Sequence, residues 1–162
     1  MSEGPVYTWD KAEWSGNIAA ASRDLDALLG LRQGDVADGA KLRDGLLSIT
    51  KSYGRIGHML AKATTTPRLD DSARTAVFAI TVDEGPQFRM GSVQFIGLAD
   101  AAAETMKKRW MLATGAVYDT NYSDSFYSKE VSPRRPAGGK APEMQMEIDR
   151  SAGVVNVRFL FH

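Results

Sequence analysis

The sequence predicts an α+β protein built from two tandem β-α-α-β-β domains, each a three-stranded sheet with two helices on one face. Three observations carry that expectation. Two strand-like runs, Val77–Val82 and Phe88–Ile96, meet at a short stiff joint; the residues on either side of the joint repeat at a spacing of 81; and apolar positions switch between period 2 and period 3.6 in the same order in both halves.

The joint is Glu84-Gly85-Pro86. Pro86 fixes φ and donates no ladder hydrogen bond, while Gly85 is free to take a positive φ, so the two strands cannot run on as one. This divides the chain into residues 5–85 and 86–162. The repeat is countable: Gly16, Ala20, Ala21, Leu31, Gly34, Val36 and Asp38 recur as Gly97, Ala101, Ala102, Leu112, Gly115, Val117 and Asp119, 7 identities over the 23 positions from Gly16 to Asp38. Unrelated sequence would give about one or two.

In the first half, Val6–Trp14 is rich in aromatic and β-branched residues and reads as a strand ending at Ser15-Gly16-Asn17. Ala19–Leu29 reads as a helix with Leu25, Leu28 and Leu29 on one side and Gly30 as its stop. Asp38 caps a second helix from about Gly39 to Gly54, with Leu42, Leu46, Ile49 and Tyr53 on one face. A strand over His58–Thr65, a turn at Pro67–Ser72 and the Val77–Val82 strand complete the half. In the second half, Phe88–Ile96 is a strand. Asp100 caps a helix to about Ala113 that buries Ala103, Met106 and Trp110, and Asp119 caps a stretch carrying Tyr122, Phe126 and Tyr127. Prolines and glycines between Val131 and Pro142 then cut that helix short. Met144–Asp149 and Val154–Phe161 alternate as strands joined by a turn at Ser151-Ala152-Gly153.

Composition narrows the function. Twenty Lys plus Arg balance twenty Asp plus Glu, which argues against a general polyanion binder, and the absence of cysteine excludes disulfides and thiolate chemistry. As written, the chain carries no export signal, and no run of 18 apolar residues occurs, so the expectation is a soluble piece. His58 and His162 lack the partner spacing of a metal site or a catalytic triad, and the paired acids Asp70-Asp71 and Asp83-Glu84 flank turns, where solvated carboxylates commonly sit. No catalytic, cofactor or metal residues are assigned, and the chain reads as a binding protein rather than an enzyme. Gly54-Arg55-Ile56-Gly57 fits the GXXG loop of RNA-binding KH domains, an alternative weakened by the zero net charge and by the strand expected after it.

The string Glu84-Gly85-Pro86-Gln87-Phe88-Arg89-Met90-Gly91-Ser92-Val93-Gln94-Phe95-Ile96-Gly97 resembles the joint between consecutive POTRA domains, and Tyr53-Gly54-Arg55-Ile56-Gly57-His58 resembles their second-helix end. POTRA domains belong to BamA-type outer-membrane assembly factors and related outer-membrane surface antigens. The second copy lacks the Tyr-x-x-x-Gly helix end. The resemblance implies a non-enzymatic, periplasmic module of a larger protein with a C-terminal membrane β-barrel that this chain lacks. It also implies unfolded outer-membrane polypeptides and accessory lipoproteins as partners, with no nucleic acid and no cofactor. The POTRA region of a two-partner secretion transporter or of a division protein is the alternative. In such a domain the second strand in chain order lies at a sheet edge, open to strand addition by an extended peptide. This assigns peptide binding to Met59, Leu60, Ala61, Lys62, Ala63 and Thr64 in the first copy. In the second it assigns Met144, Gln145, Met146, Glu147, Ile148 and Asp149, with Met144, Met146 and Ile148 packing inward.

Overall fold

The computed structural model describes residues 5–162. The chain divides into two compact units, one of residues up to Tyr53 with Leu60–Gly85, the other of Gly54–Met59 with Pro86–His162. Both are β-α-α-β-β.

The first copy comprises β1 (Thr8–Ser15), α1 (Ser22–Leu29), α2 (Gly39–Arg55), β2 (Lys62–Asp70) and β3 (Thr75–Asp83). Its sheet has the order β1-β3-β2, with β1 parallel and β2 antiparallel to the central strand. The alternation along β3 buries Ala76, Ile80 and Val82, with Phe78 half-buried, and these meet one stripe of each helix, Leu25 and Leu29 from α1, Leu42, Ile49 and Tyr53 from α2. Trp9 stacks on Phe78 with ring centroids 5.2 Å apart.

The second copy comprises β4 (Arg89–Ile96), α3 (Asp100–Arg109), α4 (Thr120–Phe126), a π-helical turn (Tyr127–Val131), a 3₁₀ turn (Ser132–Arg134), β5 (Glu143–Asp149) and β6 (Val154–Leu160). Its sheet is β4-β6-β5 with the same directions. Val155, Val157 and Phe159 of β6 are buried, as are Met106, Trp110 and Phe126, with Phe159 meeting the rings of Trp110 and Phe126.

The repeat extends to single hydrogen bonds. Trp9 N–H donates to Asp35 O (2.6 Å), Gly34 N–H to Trp9 O (2.8 Å) and Ala37 N–H to Tyr7 O (2.9 Å). At a spacing of 81, Met90 N–H donates to Ala116 O (2.8 Å), Gly115 N–H to Met90 O (2.7 Å) and Tyr118 N–H to Phe88 O (2.9 Å). Asp38 Oδ1 accepts from Ala40 N–H, and Asp119 Oδ1 from Asn121 and Tyr122 N–H, so both second helices start on an aspartate cap. Gly16 and Gly97 share a positive φ and an approach so close that a Cβ would overlap the carbonyl oxygen of Val82 or Phe161. In the last hairpin the spacing becomes 79. Asp70 Oδ1 accepts from Ser72 and Ala73 N–H, and Asp149 Oδ1 from Ser151 and Ala152 N–H.

Several expected elements differ. The strand expected over His58–Thr65 begins only at Lys62 and runs through Pro67 to Asp70, because an edge strand tolerates a residue without an N–H. Leu28 is 39% exposed, since the α1 stripe is set by Leu25 and Leu29 alone. Asp100 is the first residue of α3 rather than its cap. Ala99 stands at the cap without a side-chain bond, and the helix stops at Arg109, four residues short of Ala113. No second helix follows Gly54–Gly57, so the KH arrangement is not formed; a turn leads into β2 instead.

Candidate functional site

Each three-stranded sheet leaves its second strand with a neighbour on one side only: β2 pairs with β3 and β5 with β6. The other side of such a strand presents N–H and C=O groups that an added strand can take up.

In β5, Glu143 to Asp149 pairs in register with Leu160 to Val154 and contains no proline. Gln145, Glu147 and Asp149 are exposed, and Met144 and Ile148 are half-buried. Met146, expected inward, is 44% exposed. The hydroxyl of Tyr118, itself a buried residue, donates to its sulfur at 3.2 Å, so the sulfur touches the core while the rest of the side chain stays open to solvent. Burial pushes the Tyr118 hydroxyl's pKa up, so it stays a donor across the ordinary pH range. The charges along this edge are matched within the copy. Arg158 pairs with Glu147 at 2.8 Å, and Lys140 with Glu143 at 2.5 Å, which holds the Glu143 carboxyl below its usual range.

Of the first-copy residues assigned to peptide binding, Lys62, Ala63 and Thr64 lie in β2, whereas Met59, Leu60 and Ala61 precede it in the turn from α2. Only Ala63 and Thr65 of β2 are half-buried; the rest is exposed, including Leu69 at 55%. Arg68 and Glu13 form an ion pair across the sheet, and Pro67 removes one donor from the strand.

Two features were not foreseen. First, β1 and β4 are also outer strands, and a hollow of about 460 Å³ lies along β4 between Phe95, Ile96, Ala103 and Glu104. Parity alone could not place them, since the order of strands in a sheet is a tertiary property. Second, Glu84 is not a solvated turn carboxylate. It is half-buried and accepts from the Tyr53 hydroxyl at 3.0 Å and from Ala19 N–H at 2.7 Å, tying the end of β3 to α2 and to the loop after β1. Burial, reinforced by this carboxylate, pushes the Tyr53 hydroxyl's pKa well above its ordinary value. Gly85 takes φ +61 beside it.

Among the described residues no group of three or more His, Asp or Glu could hold a metal ion, and no helix is long and apolar enough to cross a membrane.

Residues 7–85 match the POTRA family model, described as a surface antigen variable number repeat. The crystal structure of Haemophilus influenzae BamA POTRA3-5 superposes with TM-score 0.70 at 20% identity, over 96% of this chain and 61% of that one. BamA from Haemophilus ducreyi lacking POTRA domains 1-3 gives 0.77 at 19% identity, over 94% of this chain and 29% of that one. POTRA1-2 of the periplasmic domain of Omp85 from Anabaena gives 0.57 at 11% identity, over 99% and 98%. The chain thus spans less than two thirds of the two BamA chains, and at these identities the likeness is one of fold.

Proposed function

We propose, from the premise that this chain has the tandem POTRA-domain architecture found in BamA-type outer-membrane assembly factors, that it is a periplasmic polypeptide-binding module of such a factor. It is a non-catalytic scaffold, divided near Gly85, that receives unfolded outer-membrane polypeptides on their way to a membrane β-barrel and docks accessory lipoproteins. Clients add as strands to the open edges of β5 and of β2 over Lys62–Thr64. One observation carries the reading: β5 pairs on one side only and is proline-free over its full length. Backbone pairing reads little side-chain identity, which suits a surface handling many sequences weakly.

Successive residues of a strand aim their N–H groups to opposite sides, so prolines at Met146 and at Glu147 act differently. One breaks the ladder to β6; the other removes a donor from the open side. The variant that keeps the parent's circular dichroism spectrum is expected to lose most photocrosslinking to peptides taken from outer-membrane strands. If the folded variant crosslinks as well as the parent does, strand addition at β5 is wrong.

A further inference from the structure

The two copies differ most where the second helix meets the first. In the first copy Gly45 of α2 lies against the backbone of α1; a Cβ there would stand 2.5 Å from Leu29 O and 2.9 Å from Leu29 Cα, so the helices close with no space between them. The 81-residue spacing puts Phe126 at the position of Gly45, Trp110 at Leu29 and Met111 at the αL stop Gly30. Phe126 meets Trp110 edge-on at 5.0 Å between centroids, and a hollow of about 370 Å³ opens beside it, lined by Arg109, Met111, Tyr122, Phe126, Lys129 and Glu130. Its outer wall belongs to the π-helical turn, a local widening of helical backbone that recurs at functional sites.

The lining is both apolar and basic. Met111 is 76% exposed although its backbone is pinned, its N–H donating to the Tyr122 hydroxyl at 2.6 Å. An exposed thioether on a fixed backbone suits a contact that must adapt to a partner's shape. Glu130 is the one carboxylate in the lining, and it is shared between Arg109 at 2.6 Å and Arg134 at 3.8 Å. Lys129 is the second cation of the lining, and no side-chain ion pair engages it among the described residues. Two positive groups therefore face one negative group around an aromatic floor, with Arg134 outside the lining also drawing on that carboxylate, a surface whose complement is apolar and acidic together.

We infer that this hollow docks a partner protein through an amphipathic helix that seats an apolar side chain against Met111 and Phe126 and sets carboxylates beside Arg109 and Lys129. A helix fits and a strand does not, because the hollow is bounded by helical turns and offers no open ladder of backbone groups. A small anion does not account for the aromatic floor. The site is separate from the β5 edge and does not depend on strand addition there.

The test uses the whole chain with ¹³C-methyl methionine, whose seven methionines include Met111, Met144 and Met146. The probes are a capped helical peptide of about 15 residues with leucines at i and i+4 flanked by glutamates, and its counterpart with every glutamate made lysine. The acidic peptide is expected to shift the Met111 methyl resonance saturably and the lysine peptide to leave it in place. Lys129→Glu, an exposed change outside the core, is expected to weaken the acidic peptide about tenfold or more. No saturable shift at Met111, equal shifts with both peptides, or unchanged binding to Lys129→Glu overturns the inference. Shifts confined to Met144 and Met146 also overturn it and assign the peptide to the β5 edge.

Discussion

In the first copy α2 runs for 17 residues and covers a core whose helical side is mainly aliphatic, Leu25, Leu29, Leu42 and Ile49, with the single ring of Tyr53. In the second, α4 gives way after 7 residues to a π-helical turn, and the space is filled by a contiguous set of rings, Phe95, Trp110, Tyr122, Phe126 and Phe159. Strand order, the turns at Gly16/Gly97 and Gly34/Gly115, the aspartate caps and the loop hydrogen bonds at those turns are nevertheless the same. The difference teaches that the skeleton is specified by a few backbone-controlling residues. The core composition is free to change as long as the volume under the helices is filled. A shorter helix presents fewer side chains to the sheet, and large rings supply the missing contact area.

The comparison breaks most readily at Phe126. Phe126→Ala removes the ring that touches Phe95, Trp110, Tyr122 and Phe159, and is expected to cost about 3–5 kcal/mol. Hydrogen-exchange mass spectrometry, which reads peptides of each copy separately, should show the loss in β4, β5 and β6. If protection fell equally in β1, β2 and β3, the two cores would not be independent. Next come Gly16→Ala and Gly97→Ala, each of which drives a Cβ into a carbonyl oxygen at a positive φ. About 2–3 kcal/mol is expected for either one, read by urea denaturation. Equal costs would sharpen the claim of a common skeleton, and a clearly smaller cost in one copy would break it.

The smallest effect concerns the paired hairpin turns. Backbone amides of Ala73 and Ala152, then the hydroxyls of Ser72 and Ser151, hold the Asp70 and Asp149 carboxyls below their usual range. A carboxyl with a lowered folded pKa stabilises above its unfolded value, about 3.9, and loses that contribution as pH falls through the folded value. Asp70→Ala and Asp149→Ala should therefore be less stable than the parent at pH 7, with the deficit shrinking below about pH 4. The parallel between the turns requires the same trend in both variants, followed by denaturation at pH 7 and pH 3.

Much of this was legible because glycine, proline and aspartate act locally. Gly16, Gly34 and Asp38 announce the same turns and cap as Gly97, Gly115 and Asp119 wherever they stand. What escaped was set by neighbours. Pro67 reads as a turn former, yet an edge strand has an unpaired side on which its missing N–H costs nothing. Alternation puts Met146 inward, and its sulfur does reach the Tyr118 hydroxyl, but the strand's place at the edge leaves the side chain 44% exposed. Glu84 looks like any acidic turn residue until Tyr53 and Ala19 are brought to it from 31 and 65 positions away. Gly45, within α2, goes unnoticed in the sequence, and the close approach of Leu29 accounts for it.

The strand order carries a consequence for how the chain is made. In each sheet the first strand pairs with the last, Thr8 with Thr75 and Arg89 with Val154, while the second strand has no partner until that last one arrives. A nascent chain can form its helices early and bond β1 and β4 to the loops at residues 34–37 and 115–118, but neither outer strand has another strand to pair with until the final hairpin has been synthesised. Closing such distant pairs costs loop entropy before any ladder repays it, so each sheet assembles late and cooperatively. Until then its future edges are exposed to whatever extended chain is nearby, and the protein begins life with the vulnerability of any unpaired strand.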